Sequence, residues 1–198
     1  MRVKSIDLSP REVAEFARVG QSAVNKAIEE KVLRTHVGAR STTVGAKNRA
    51  ARMLGLEAVA YLALQSQIKT FALNRVGKRN LVRALQSQDP SRLHEAHVSI
   101  APAIVVDVGA LAGESLRRTR DYVEARDAWV RSVPGIMGGL PVVKGTRIPV
   151  YSIAARVAHG ETIGEIASDF DLPKDACETA LVYAHTHPLR ARPKGAAG

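Results

Sequence analysis

The sequence predicts a mainly α-helical (α+β) fold with an N-terminal winged helix-turn-helix, a helical connector with a small sheet, and a C-terminal three-helix, homeodomain-like bundle preceded by a β-strand. Apolar residues make up 45% of the 198 residues, whereas aromatic residues make up only 4%. Cores with so few aromatic side chains must be aliphatic and rich in alanine, which suits helices better than a large sandwich. Apolar residues also recur at helical spacing through much of the chain.

These patterns predict four segments. Residues 1–50 form the winged helix-turn-helix, residues 51–130 the connector, residues 131–188 the three-helix domain, and residues 189–198 a basic, flexible tail. We expect the tail to be disordered on its own, because it is basic and has almost no large apolar side chains.

The first helix is predicted to begin at Ser9 and Pro10. Ser9 can cap the helix, proline suits the first turn, and Glu12 stands three residues after the cap, which completes a capping box. Gly20 then interrupts the pattern, and a second helix should open near Gln21 with its apolar residues facing inward. A helix, a glycine-containing turn and a second helix have the spacing of a helix-turn-helix.

The outward face of the second helix carries polar side chains that can meet base edges and phosphates in a major groove: Gln21, Ser22, Asn25 and Lys26. Asparagine and glutamine can bond adenine in bidentate fashion, and lysine can bond guanine or phosphate. Glu29 and Glu30 follow, and we expect both to point away from the duplex. The alternative interpretation is an ordinary polar helix face.

A basic hairpin is predicted after the second helix. Residues 33–37 alternate with period two, residues 38–41 favour a turn, and residues 42–44 can return as a second strand. A helix-turn-helix followed by such a hairpin is a winged helix, which places Arg34 and Arg40 near the DNA backbone or the minor groove.

Residues 5–48 as a whole resemble the winged DNA-binding domain of MerR-type regulators. The resemblance implies that the second helix and the hairpin bind double-stranded DNA. The sequence departs from the family at the end of the second helix, where Glu29 and Glu30 replace an aromatic pair.

The middle of the chain is predicted to be a helical connector. Helical patterns cover residues 50–73, 79–88 and 113–130, and strand-like runs cover residues 98–100 and 104–108. This segment carries no chemical motif, and we interpret it as a dimerisation platform.

No metal or cofactor is expected. Four of the six histidines occur as two scattered pairs, His94 with His97 and His185 with His187, whereas a metal site needs three or four converging ligands. The single cysteine, Cys177, excludes an internal disulfide and a Cys-x-x-Cys pair. The first residues lead into no apolar signal segment, and no stretch approaches the roughly 18 apolar residues of a membrane span. We therefore expect a cytoplasmic protein that makes no membrane contact.

Three helical stripes follow one another near the C-terminus. They begin at Val150, Ile163 and Cys177, and each repeats apolar residues at positions i, i+3, i+4 and i+7. Thr162 and Glu165 can form a capping box for the second helix. The result is a compact three-helix unit of homeodomain-like size. The stretch ahead of it should be extended, because a residue before proline is pushed towards β geometry.

After a glycine pair and a proline, the run before these helices reads Gly145, Thr146, Arg147, Ile148 and Pro149. Together with the helix spacing, this run makes residues 130–187 closely similar to the domain of unknown function number 433, a family associated with VapB-type antitoxins of bacterial toxin–antitoxin pairs. The resemblance implies an antitoxin whose partner is a PIN-like, metal-dependent ribonuclease toxin. It also implies a homodimer, with the extended strand as a candidate contact.

The net charge is +10, and it is unevenly distributed. Residues 32–56 contain five bases and no acid, whereas residues 161–178 contain six acids and one base. A basic excess favours polyanionic partners, nucleic acid first; the alternative is a basic protein that is merely soluble. Because an acidic surface suits phosphate poorly, we assign operator double-stranded DNA to the N-terminal domain and protein contact to the C-terminal one.

Three arginines of the C-terminal part have open roles. Arg147 either pairs with a carboxylate at the strand–helix junction or is exposed. Arg190 or Arg192 in the tail could occupy the toxin's carboxylate cluster and compete with its metal ion, because an arginine fork bonds carboxylates in bidentate fashion. The alternative is a solvated basic tail.

We therefore expect an antitoxin of a type II toxin–antitoxin pair that neutralises its toxin and represses its own operon. A dimer predicts an inverted-repeat operator. The main alternative is a ligand-responsive, MerR-like transcriptional regulator without a toxin, which predicts an apolar ligand pocket in the middle region. The sequence contains no convergent carboxylates, nucleophile–base pair or phosphate loop, so we do not expect an enzyme.

Overall fold

The computed structural model describes residues 6–37, 51–68, 72–102, 104–133 and 135–189. It confirms the mainly helical α+β class, because eight α-helices and three small antiparallel sheets of two strands each lie within these ranges. The chain divides into two compact units, Met1–Glu124 and Ala125–Gly198. We call them the front unit and the rear unit.

The front unit begins with two short helices, α1 at Pro10–Phe16 and α2 at Gln21–Glu29, as the sequence predicts. The predicted capping box is present. The Ser9 hydroxyl accepts a hydrogen bond from the Glu12 amide at 3.2 Å, and the Ser9 amide donates to the Glu12 carboxylate at 2.6 Å. Arg18 has a positive φ of 54°, so the turn begins ahead of the predicted glycine.

A small sheet follows α2. β1, His36–Val37, pairs with β2, Arg52–Met53, in antiparallel register. Beside them, Leu8 and Leu54 exchange two backbone hydrogen bonds of 2.9 and 2.8 Å. The return strand predicted at residues 42–44 lies outside the described residues. The next helix begins later than predicted, because β2 occupies the start of its pattern.

Three helices and a hairpin complete the front unit: α3 at Leu56–Gln67, α4 at Arg75–Gln86, β3 at His97–Ala101, β4 at Ile104–Asp107, and α5, which begins in this unit, at Val108–Trp129. α3 is the central helix, with most of its first nine residues buried. The β3–β4 hairpin is antiparallel, as the two predicted strand-like runs require.

α4 and α5 begin at residues 75 and 108 rather than at the predicted 79 and 113. Side-chain caps account for both early starts. The Asn74 side chain accepts a hydrogen bond from the Gly77 amide at 2.8 Å, and the Asp107 carboxylate accepts one from the Ala110 amide at 3.0 Å. Each cap satisfies a backbone donor that the helix itself leaves free, which stabilises an additional first turn.

The rear unit contains β5 at Val130–Arg131, β6 at Val142–Val143, α6 at Val150–Ala158, α7 at Ile163–Phe170 and α8 at Lys174–Thr186. All three helices agree with the predicted stripes. Their apolar faces form one core, in which Ile153, Ile166 and Cys177 are fully buried. The Thr162 capping box of α7 is also present, because Thr162 and Glu165 exchange side-chain and backbone hydrogen bonds.

The run between β6 and α6 is a hydrogen-bonded turn. Gly145 takes a positive φ of 83°, a conformation that favours glycine. The Thr146 hydroxyl donates to the Val143 carbonyl at 2.8 Å and accepts from the Ile148 amide at 3.0 Å, and the Val143 amide donates to the Ile148 carbonyl at 2.9 Å. α6 starts directly after Pro149, as predicted. The run therefore holds the sheet against the first helix of the bundle.

Candidate nucleic-acid interface

The side chains predicted to meet DNA lie on α2. Ser22, Asn25 and Lys26 are exposed, and Gln21 is half-buried. The Gln21 side-chain amide donates a hydrogen bond to the side-chain oxygen of Asn25 at 3.2 Å, as residues four apart on a helix can. Lys26 keeps 72% of its side chain exposed. The four predicted side chains are thus reachable from solvent on one short helix.

The two glutamates at the end of α2 point in different directions. The Glu30 carbonyl accepts hydrogen bonds from Nε and Nη2 of Arg75 at 3.0 and 2.8 Å, and the Glu30 carboxylate lies 3.6 Å from Nζ of Lys78. Glu29 is exposed and follows Asn25 by four residues, so it lies on the same helix face one turn later. Glu29 therefore shares the helix face of Asn25, whereas Glu30 is turned towards α4; the expected orientation of both glutamates relative to a duplex stays a prediction.

α4 adds a basic surface that the sequence analysis missed. It contains four basic residues and no acidic one: Arg75, Lys78, Arg79 and Arg83. Arg75 and Arg79 reach the carboxyl end of α2, where cations are favoured by the helix dipole, and Arg83 is exposed. The signal was available in the sequence. It was diluted there, because residues 57–134 as a whole contain 11 bases and 8 acids.

The structure tests only part of the predicted wing. Arg34 is exposed, and none of the described residues forms a hydrogen bond or an ion pair with it. Arg40 lies outside the described residues. The adjacent sheet is tied to the segment before α1, since Nε2 of His36 lies 2.9 Å from Oδ1 of Asp7.

A pocket of about 300 Å³ lies between α2, α3 and α4. Its lining combines apolar and polar side chains: Val19, Ala23, Lys26, Ala27, Glu30, Tyr61, Leu62, Gln65, Ser66 and Lys78. Burial is the main cause that raises the pKa of Tyr61 to about 12, and the negative charge of Glu30 is the second. The Tyr61 hydroxyl is therefore protonated at neutral pH. The middle region therefore contributes to a pocket with an apolar wall and a cationic rim.

The acidic segment of the rear unit is less free than its composition suggests. Arg156 donates hydrogen bonds from Nε and Nη2 to the Glu161 carboxylate and from Nη2 to Asp169 at 2.5 Å, and its guanidinium lies 5.0 Å from the ring centre of Phe170. The Arg156 hydrogen bond lowers the pKa of Glu161. The pKa of Glu165 is also lowered, by its hydrogen bond from the Thr162 amide. Three of the six acids thus serve the fold of the bundle.

The other residues of the rear unit that the sequence singled out are three arginines and the turn before α6. Arg147 is exposed, and no carboxylate among the described residues lies within ion-pair distance of it. Within the described residues, Arg147 thus takes the exposed alternative rather than a carboxylate pair. Arg190 and Arg192 lie beyond the described residues. Gly145, Thr146, Ile148 and Pro149 shape the turn before α6 and bring no reactive group together.

The predicted histidine pairs take part in other contacts. Nδ1 of His94 lies 3.0 Å from Nη1 of Arg120, and the His187 ring stacks on Tyr183 with centroids 4.2 Å apart. Across the residues that the structure describes, no three His, Cys, Asp or Glu side chains are grouped so that they could hold a metal ion. No helix within those residues is both long enough and apolar enough to cross a membrane.

Comparison with known proteins identifies the family of the rear domain. Residues 130–184 match the family described as "Protein of unknown function (DUF433)", so the rear unit contains a DUF433 domain. The chain is 29% identical over 186 residues to "Uncharacterized protein y4eO" of Sinorhizobium fredii (strain NBRC 101917 / NGR234), covering 93% of this chain and 83% of that relative. The crystal structure of Rv2018 from Mycobacterium tuberculosis aligns with 91% of this chain and 99% of its own at 13% identity and a TM-score of 0.34.

Proposed function

We propose that the protein is a VapB-type antitoxin of a type II toxin–antitoxin pair. Its front unit binds operator DNA, its rear unit binds and neutralises a PIN-like ribonuclease toxin, and the homodimer represses its own operon. The observation that carries the DNA-binding half is the exposed polar face of α2 beside the acid-free helix α4. The DUF433 match of the rear unit supports the toxin-binding half of the proposal. Its sequence resembles a family that is associated with such antitoxins.

The chemistry of the front unit suits a major groove. Residues near the N-terminus of a recognition helix contact the edges of the DNA bases, and the surrounding lysine and arginine side chains bind the phosphates. Gln21 and Asn25 supply amides that can pair with adenine, and Lys26 supplies a cation on the same helix. Arg34, after α2, and Arg83, on α4, are exposed basic residues of the same unit, which suits them to phosphate contacts.

The rear unit offers a small acidic surface to a partner. Once Arg156 and the Thr162 cap have engaged three acids, the exposed acids that remain are Asp171, at the end of α7, and Asp175 and Glu178, in the first turns of α8. A ribonuclease must attract RNA phosphates, so the approach to its active site is basic. Complementary charges on two proteins favour their association and fix their orientation.

DNA binding is tested with the full-length protein and the DNA upstream of its own coding sequence. We expect footprinting to protect two inverted half-sites about 10 base pairs apart, one helical turn. Asn25→Ala should weaken binding by about 1–3 kcal/mol for each subunit of the dimer, or roughly fivefold to 150-fold for each half-site, if it pairs with a base. Arg117→Gln is a matched control, because Arg117 is exposed on α5 and already bonded to Glu114. Absence of protection by the wild-type protein would refute the DNA-binding half.

Toxin binding is tested by co-expressing the chain with the ribonuclease that we expect the neighbouring reading frame to encode. The complex should co-purify, and ribonuclease activity should fall. An Asp175→Asn and Glu178→Gln double variant should weaken the complex, whereas Asp121→Asn, an exposed acid on α5, should not. A neighbouring gene without a ribonuclease, or a ribonuclease that stays fully active, would refute the toxin-binding half.

The pocket between α2, α3 and α4 favours a second candidate function, a ligand-responsive transcriptional regulator without a toxin. Both candidates share DNA binding by the front unit. They differ in the rear unit, because only the antitoxin requires it to inhibit a ribonuclease. The co-expression experiment therefore separates them.

A further inference from the structure

The pocket beneath α2 exists because small residues line one wall. Ala23 and Ala27 stand four residues apart on α2, and Leu62 of α3 lies across from them. Protein interiors are otherwise packed with few voids larger than a water molecule. A space of about 300 Å³ is at the lower end of the range for small-molecule sites. Its size therefore suits a compact ligand with an apolar body.

Cations outnumber the carboxylate at the polar end of this pocket. Nζ of Lys26 lies 4.0 Å and Nζ of Lys78 3.6 Å from the carboxylate of Glu30. Arg75 and Arg79 approach the backbone carbonyl of the same residue at 2.8 and 3.5 Å. Two lysines of the pocket lining thus face its one carboxylate, and the two arginines, which do not line the pocket, add positive charge at the backbone carbonyl of the same residue. The local excess of positive charge favours an additional anionic group.

We propose that this pocket binds a small carboxylic acid in its ionised form. The carboxylate joins Lys26 and Lys78 at the rim, and the apolar body lies against Ala23, Ala27 and Leu62. Tyr61 and Gln65 supply neutral polar groups to the lining. The attachment of an anion to lysine is a charge-assisted hydrogen bond, which is stronger than a neutral one.

The same site can regulate DNA binding, an extension that rests on the proposed function of the front unit. Lys26 lines the pocket and also belongs to the predicted DNA-contacting face of α2. A bound carboxylate neutralises one charge there and draws the lysine towards the pocket. Ligand binding therefore weakens DNA binding, and DNA weakens ligand binding by the same factor.

The binding site is tested by calorimetric titration of the full-length protein with benzoate, hexanoate and indole-3-acetate at constant ionic strength. We expect at least one acid to bind saturably. Its neutral amide, which has nearly the same shape, should bind about tenfold or more weakly, because it lacks the charge. If none of the three acids saturates the protein by about 10 mM, the Kd is too weak for a specific binding site, and the proposal is wrong.

Two variants locate the bound acid. Ala23→Leu fills the pocket and Lys78→Gln removes one cation, and each should lower the affinity at least about tenfold. Ala155→Leu, at an exposed position of the rear unit, is the matched control and should bind as the wild type does. Should Ala23→Leu fail to fold by circular dichroism, Lys78→Gln decides the matter. Wild-type affinity in folded Lys78→Gln would place the acid elsewhere and overturn the proposal.

The regulatory step has its own readout. Fluorescence anisotropy of operator DNA should show several-fold weaker binding when the acid is saturating, and the amide should have no such effect. Failure of the unliganded protein to bind DNA would refute the proposed function and leave the calorimetric result standing. Equal DNA affinity with and without the acid would refute the regulation alone.

Discussion

Removal of single positive charges from α2 and α4 should change the salt dependence of DNA binding by a calculable amount. Each phosphate that a protein neutralises contributes about 0.9 to the slope of log K against log salt on B-form DNA. Lys26 is 72% exposed in its side chain. Arg83 is exposed and donates to the Asn80 side chain at 3.3 Å. Glutamine at either position removes one charge and keeps a polar side chain.

The proposed homodimer sets the size of the effect. It presents each residue twice, so either substitution should reduce the slope by about 1.8, which is twice 0.9. The ion pair of Lys26 with Glu30 is long, at 4.0 Å, and lies at the surface. Such pairs contribute little, so Glu30 does not withhold the lysine from a phosphate.

The assay is fluorescence anisotropy of operator DNA between about 50 and about 200 mM salt, where phosphate contacts have a large effect. The control is Arg117→Gln, whose guanidinium lies 2.8 Å from Glu114 and 3.4 Å from Asp121 and whose loss should leave the slope unchanged. Wild-type slopes for both Lys26→Gln and Arg83→Gln would refute the proposed interface. An equal decrease of the slope in the control would show that the effect does not depend on the charge being on α2 or α4, and would also contradict the proposed interface.

Three further predictions concern the end of α2 and the bundle of the rear unit. Glu29→Gln should strengthen operator binding in the same assay, because it removes a negative charge from the exposed face of α2; weaker binding would contradict that placement. Thr162→Ala should lower the free energy of unfolding by about 1 kcal/mol, a typical value for an N-cap, whereas Ser168→Ala, exposed within α7, should have a much smaller effect in the same thermal melts. Acid should destabilise the rear unit, because the Arg156 hydrogen bond lowers the pKa of Glu161 in the folded state. The stability from this pair is present above the ordinary glutamate pKa of 4.5 and is lost as pH falls through the lower folded value, so melts from about pH 7 to about pH 3 should show a smaller acid effect in Arg156→Gln.

Local signals predicted the helices best. The capping box of Ser9 and Glu12 and that of Thr162 and Glu165 each involve residues three apart, and the structure contains both. The glycine, proline and apolar spacing of the rear unit likewise predicted its three helices. Such features depend on neighbours within one or two turns, so a single sequence is enough to show them.

Long-range pairing limited the rest of the prediction. β1 pairs with β2 across 15 or more positions. A strand of two residues is too short for an alternating pattern of apolar and polar residues, so its partner strand could not be predicted from the sequence. The candidate site has the same limitation, because Glu30 meets Arg75 and Lys78 only after α3 has brought α4 against α2. The sequence could identify α2 as a polar helix, but the pocket beneath it is lined by residues of different helices that are more than 30 positions apart.

These contacts also change what the uneven charge implies. In the rear unit, Arg156 engages Glu161 and Asp169, so the acidic segment is partly neutralised within its own bundle. In the front unit, the acid nearest the basic side chains, Glu30, is surrounded by cations, while Lys26 and Arg83 stay exposed. The fold therefore keeps the positive character of the front unit and confines the free negative charge of the rear unit to the end of α7 and the start of α8. The charge of the first surface supports the proposed binding of a polyanion, and that of the second suits a proposed partner with a short basic patch.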